Sequence, residues 1–141
     1  MSKRLDENLG AVEYDGLIVS NNPVADVFTV TIRKEASTAA TYPRGTVLAL
    51  SANGTGSDGK MVILGTDPHK TGETADEVLT ANCILAEDTD VSTTADVTAL
   101  AYRTGHFARN KLIVAQGYTL TAADEESLRT SGILLSDAIR Y

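Results

Sequence analysis

The 141-residue sequence predicts a mainly β fold, a small barrel or sandwich with one short helix near its end. Three observations predict it. Eighteen Thr and eleven Val stand beside only two Phe, five Tyr and no Trp, and Thr and Val suit pleated, half-exposed surfaces better than helix interiors. Short apolar runs recur along the chain, separated by turns rich in Gly, Pro, Asn and Asp. Only the segment after Thr121 carries both the start and the stop signals of a helix.

Residues 1–15 mix charges with Leu5, Leu9, Val12 and Tyr14 and show no strand period. Leu5 and Leu9 allow one helical turn before Gly10, a nucleus too short to stand alone. The stretch reads as a flexible N-terminal arm that orders only against a partner, which leaves residues 16–141 as a single β-rich domain. Gly16–Ser20 is a short apolar strand, and Asn21-Asn22-Pro23 is a turn. Val27–Lys34 has the clearest period of two, Phe28, Val30 and Ile32 alternating with Val27, Thr29 and Thr31. Ala36–Pro43 reads as a loop of small residues. Thr46–Ser51 and Lys60–Gly65 are compact apolar runs joined by Ala52–Gly59, whose Asn-Gly, Gly-Thr-Gly and Asp-Gly steps favour reversal, so the pair predicts a hairpin with a long loop. Thr66–Asp76 is polar and turn-rich. Leu79–Ala86 and Val97–Phe107 are the next strands, separated by an acidic turn over 87–96. Thr121 and Asp124 form a capping box in its Asp form, acids crowd the first turn, Arg129 lies in the last, and Gly132 stands at C′. Ile133–Ile139 reads as a closing strand.

Twelve basic against nineteen acidic residues give a net charge of −7, which argues against nucleic acid as the partner. No apolar run approaches the roughly 18 residues of a membrane span. The opening residues MSKRLDENLG lack the apolar core of a secretory signal. Cys83 is the sole cysteine, so it forms no internal disulfide and no Cys-based zinc site; its setting, NCILA, suggests a buried free thiol.

The chemical motifs dissolve on inspection. Gly54-Thr55-Gly56-Ser57-Asp58-Gly59 is a literal GxGxxG, but a strand follows where a dinucleotide site needs a helix N-terminus. Asp88-Thr89-Asp90 begins like an EF-hand loop, yet Thr93 stands where Gly is required and Ala99 where Glu is required. His69 and His106 have no third ligand at metal spacing, and the acids at 124–126 are explained by helix capping. No catalytic group, cofactor or metal ligand is expected.

From Gly45 onward the order is GTVLALS, a Gly-rich hairpin, KMVILG, TANCILAED, VTALAYRTGHFARNKL, then a short helix and strand. This order resembles the bacteriophage lambda head decoration protein family, the capsid cement proteins of tailed phages. The most telling pieces are Ala81–Glu87 and the aromatic-x-x-Gly-x-Phe turn Tyr102–Phe107. Two departures stand out: Cys83 occupies a position where the family has Gly, and residues 17–44 carry more strand-like sequence than the family pattern accounts for.

The resemblance implies a small β-barrel or β-tulip-like domain and a non-enzymatic role. Such proteins sit as homotrimers on the outer surface of the expanded capsid, clamp the major capsid protein against the pressure of packaged DNA, and add an N-terminal arm to a capsid sheet edge. Leu5, Leu9, Val12 and Tyr14 are then the capsid-binding residues of the arm, in the manner of β-augmentation. Tyr102, Arg103, His106 and Phe107 are the candidates for a subunit or capsid interface. Tyr102 and Phe107 read equally well as core residues, and Gly105 as a turn residue. Arg103 is the first cation after seven acids, and a pairing across a subunit boundary would explain it. The alternative reading is a β-rich phage adhesion module that displays the 53–59 loop and the 87–96 turn to a host ligand. An enzyme would need His106 gathered with carboxylates from elsewhere in the fold.

Overall fold

A computed structural model describes residues 16–52, 54–68, 70–71 and 74–137. The expected arm, with Leu5, Leu9, Val12 and Tyr14, lies outside the described residues. The strands are β1 (Ile18–Ser20), β2 (Asp26–Ile32), β3 (Ala40–Tyr42), β4 (Val47–Ser51), β5 (Met61–Ile63), β6 (Lys70–Thr71), β7 (Thr74–Ala75), β8 (Leu79–Leu85), β9 (Thr89–Val91), β10 (Val97–Ala108) and β11 (Ile133–Ser136). A 3-10 turn at Arg109–Lys111 follows β10, and helix α1 (Ala122–Ser131) precedes β11.

Five strands close into a barrel: β10 pairs with β2, β2 with β5, β5 with β4, β4 with β8, and β8 with β10 again. All these pairs are antiparallel except β2 and β5, which meet in parallel at Ile32 and Met61. The barrel therefore resolves the choice between barrel and sandwich. Its narrow interior explains the composition. Ala49, Ala81, Ala99 and Ala101 are buried among Val30, Ile32, Leu48 and Leu85, because a small barrel packs its interior by alternating small and large side chains.

Alternation along β2 is as the sequence predicts, with Val30 and Ile32 buried and Thr29 and Thr31 exposed. The apolar runs of β4 and β8 lack alternation because both of their faces are covered. Beside the start of β4 runs the segment 112–120: Thr46 forms a parallel bridge with Ile113, Val47 N donates to Ile113 O at 2.8 Å, and Ala115 N donates to Leu64 O at 2.8 Å. Over β8 lies α1, which buries Leu128. The capping box at Thr121 and Asp124 is present, and Gly132 ends the helix in the left-handed conformation at φ 109°.

The last four residues of β10 leave the barrel. They pair with β1 on one side and, in parallel, with β11 on the other, so Phe107 faces Ile18 and Leu135 across the two ladders. Several readings are corrected here. The expected loop Ala36–Pro43 contains β3, and the acidic turn 87–96 contains β9; the two pair antiparallel as a separate ribbon, with Tyr42 opposite Thr89. The aromatic-x-x-Gly-x-Phe segment is no turn but the continuous end of β10. The closing strand ends at Ser136, beyond which only Asp137 is described.

Candidate interaction surface

Tyr102, Arg103, His106 and Phe107 sit on one strand, but the strand sends them to three places. Register slips between Tyr102, opposite Val27, and Thr104, opposite Asp26, which makes Arg103 the extra residue of a bulge. Arg103 thus points outward and forks onto Asp26 of the same chain at 2.8 and 3.0 Å. Both side chains are more than half exposed, at 58% and 52%.

Gly105, at φ 148°, lies where β10 passes from the barrel to the smaller sheet. A Cβ there would meet the Phe107 ring at 2.6 Å, so the glycine makes room for that ring rather than for a turn. Phe107 is fully buried and packs against Tyr102, ring centroids 5.2 Å apart. Tyr102 is half-buried. The Arg44 guanidinium lies 5.4 Å from its ring centre and also donates to its hydroxyl.

His106 faces the other way, into a groove of about 710 Å³ between α1 and β11. There its Nε2 lies 2.9 Å from Ser136 Oγ, and Glu125, Glu126 and Arg129 form part of the rim. Arg109 closes one end of this region, donating to both Glu125 oxygens at 3.0 Å and to Asp137 Oδ1 at 2.8 Å. No carboxylate hydrogen bond to the imidazole is present among the described residues, so the pair lacks the orienting third group of a catalytic triad.

A buried ionic knot at the end of the barrel had no signal in the sequence. Glu77, only 1% exposed, accepts from Ser51 Oγ at 2.6 Å and from Arg33 Nη2. Arg33 also grips Asp58 at 2.9 and 3.0 Å. That guanidinium holds the Asp58 carboxyl at about 2, well below its ordinary value, with the backbone N–H of Lys60 helping and partial burial opposing. The GxGxxG glycines serve this knot. A Cβ on Gly54 would lie 2.4 Å from Asp76 O, and one on Gly56 would lie 2.9 Å from Asp76 Cβ. The loop needs those glycines to press against the Asp76–Glu77 backbone, so what it cradles is protein. Cys83 is fully buried, and burial pushes its thiol up to about 12. Among the described residues no group of three or more His, Cys, Asp or Glu is placed to hold a metal, and no helix is long and apolar enough to cross a membrane.

The family model of bacteriophage lambda head decoration protein D matches residues 9–133. The chain belongs to that head decoration family. The match takes in Leu9, Val12 and Tyr14 of the expected arm, every strand from β1 to β10, helix α1 and the first residue of β11. It therefore also covers residues 17–44, where the sequence pattern alone had departed from the family. A search of the curated proteins gives no match. The head decoration family is a structural class of phage heads and not a class of enzymes, which places this chain with the virion capsid.

Proposed function

We propose that the chain is a capsid cement protein: it binds as homotrimers to the outer surface of an expanded phage head, grips the major capsid protein and stabilises the shell against the pressure of packaged DNA. The observation that carries this reading is the match of residues 9–133 to the head decoration family. The fold supplies supporting geometry. Residues 1–15 lead directly into β1, an edge strand whose partner among the described residues is β10. An arm that continues from a sheet edge is suited to adding a strand to another protein, with Leu5, Leu9, Val12 and Tyr14 supplying apolar contacts. Arg103 and His106 are the accessible members of the interface set; Tyr102 and Phe107 act from beneath by holding β10 in place.

The test is co-sedimentation of the purified chain with expanded heads stripped of their decoration, beside a variant lacking residues 1–15. Saturable binding at three copies per three-fold site, lost on truncation, is the expected result. Binding that survives truncation refutes the arm and keeps the cement role. Absence of binding to heads of its own phage refutes both.

A further inference from the structure

The groove between α1 and β11 runs beside an open strand edge. β11 pairs in parallel with β10 from Ile133 to Ser136, and among the described residues no strand lies against its other edge. The groove wall is apolar along β11, where Leu134 is 37% exposed, and along the first turn of α1, where Ala122 and Ala123 line it. His106 stands opposite Leu134 in register, and its bond to Ser136 marks the end at which β11 stops. At that end two acids share one guanidinium. Arg109 holds both Glu125, on α1, and Asp137, the residue that follows β11. Glu126 and Arg129 pair with each other, so the charge left in excess there is negative.

We propose that this groove is the docking site of the segment that follows it in the chain, residues 138–141, which adds a short antiparallel strand to the open edge of β11. Those four residues lie outside the described ones; reach, pattern and charge select them as the occupant. The Arg109 fork holds Asp137 beside Glu125, so residue 138 starts where the first turn of α1 lines the groove. From Ala122 to Arg129 the helix advances about 10 Å, and four extended residues reach about 13 Å. The segment therefore spans the groove if the chain reverses after Asp137. Ile139 and Tyr141 alternate with Arg140, which in an extended segment puts two apolar side chains on one face and a cation on the other. Leu134 and the two alanines suit the first face, and the acid excess suits the second. Tethering by a single residue keeps the segment at an effective concentration that a separate peptide does not reach. A partner that approaches His106 from this side has to displace the segment first. That consequence rests on the interface role proposed above for His106, whereas the docking does not.

The experiment is NMR with amide hydrogen exchange on the full chain without heads, beside Arg140→Glu, a variant lacking residues 138–141 and one lacking residues 1–15. In the full chain the amides of residues 139–141 should exchange at least about ten-fold more slowly than in the free peptide Asp-Ala-Ile-Arg-Tyr. Arg140→Glu should reduce that protection. Removing residues 138–141 should shift the methyl resonances of Ala122, Ala123 and Leu134, and the free peptide added in excess should move them back. Peptide-like exchange in the full chain overturns the proposal, as do methyl resonances indifferent to the deletion. Methyl resonances that move instead on removing residues 1–15, or on dilution, also overturn it and name the arm or a second copy as the occupant. If the deletion unfolds the chain, the exchange rates of the intact protein decide alone. The cement reading fails separately: a chain with protected residues 139–141 that binds no stripped head refutes decoration and keeps the docking.

Discussion

Glu77 shows how much one side chain can govern. Its carboxylate is buried between Ser51 and Arg33, and removing it takes one of two carboxylates from a guanidinium that is itself only 14% exposed, leaving Asp58. Glu77→Ala should cost about 3–5 kcal/mol in urea denaturation, the usual penalty for halving a buried ion pair. Glu77→Gln, which keeps an acceptor oxygen, should cost less. Asp58 adds a pH signature. Its pKa is lowered in the fold to about 2 by Arg33, so its contribution is complete above the ordinary carboxylate range and falls away as pH drops from about 4 toward 2. Denaturation curves across that window should lose stability with falling pH, and Asp58→Asn should flatten the loss. Nothing in the sequence betrays this knot, because Arg33, Asp58 and Glu77 are far apart in the chain and each looks like a surface charge.

At the scale of elements, legibility follows locality. Helix α1 was readable to the residue because its cap, its dipole-matched charges and its terminal glycine are all contained in one stretch. Strand β2 was readable because one of its faces meets solvent. Ribbon β3–β9 was not, since three-residue strands held by pairing across some fifty residues have no period of their own. The end of β10 misled for a related reason. Arg103-Thr104-Gly105 has turn chemistry, yet those residues make a bulge and a clearance for the Phe107 ring inside a continuous strand. Gly105→Ala should therefore destabilise by more than about 1 kcal/mol, because both φ 148° and the 2.6 Å approach to the ring oppose a methyl group. A chemical denaturation series that finds it neutral would show that the ring can move aside. The candidate residues at 102–107 were legible as a stretch, but their separation into core, groove and outer wall depends on this bulge and could not be read from spacing.

Across the whole molecule, β10 belongs to both sheets, and α1 and the 112–120 segment lie against the barrel it completes. No part of this arrangement has a core to itself, so unfolding should be one transition. Far-UV circular dichroism, tyrosine fluorescence and the reactivity of Cys83 toward a thiol reagent should change together along a urea gradient. Early labelling of Cys83, before the loss of secondary structure, would count against a single cooperative unit. The same hub determines how the protein would bear a pull. Tension on the arm enters at Gly16 and Leu17, passes into a three-residue β1, and reaches the barrel through the ladder to β10 and the Ala108 N–H that donates to Leu17 O at 2.8 Å. The closed barrel shares load among five strands, whereas β1 carries it on a single seam. Under a pull through the proposed arm the seam should yield first, letting out a few residues of slack while the barrel stays whole, so that β1 would serve as a mechanical fuse.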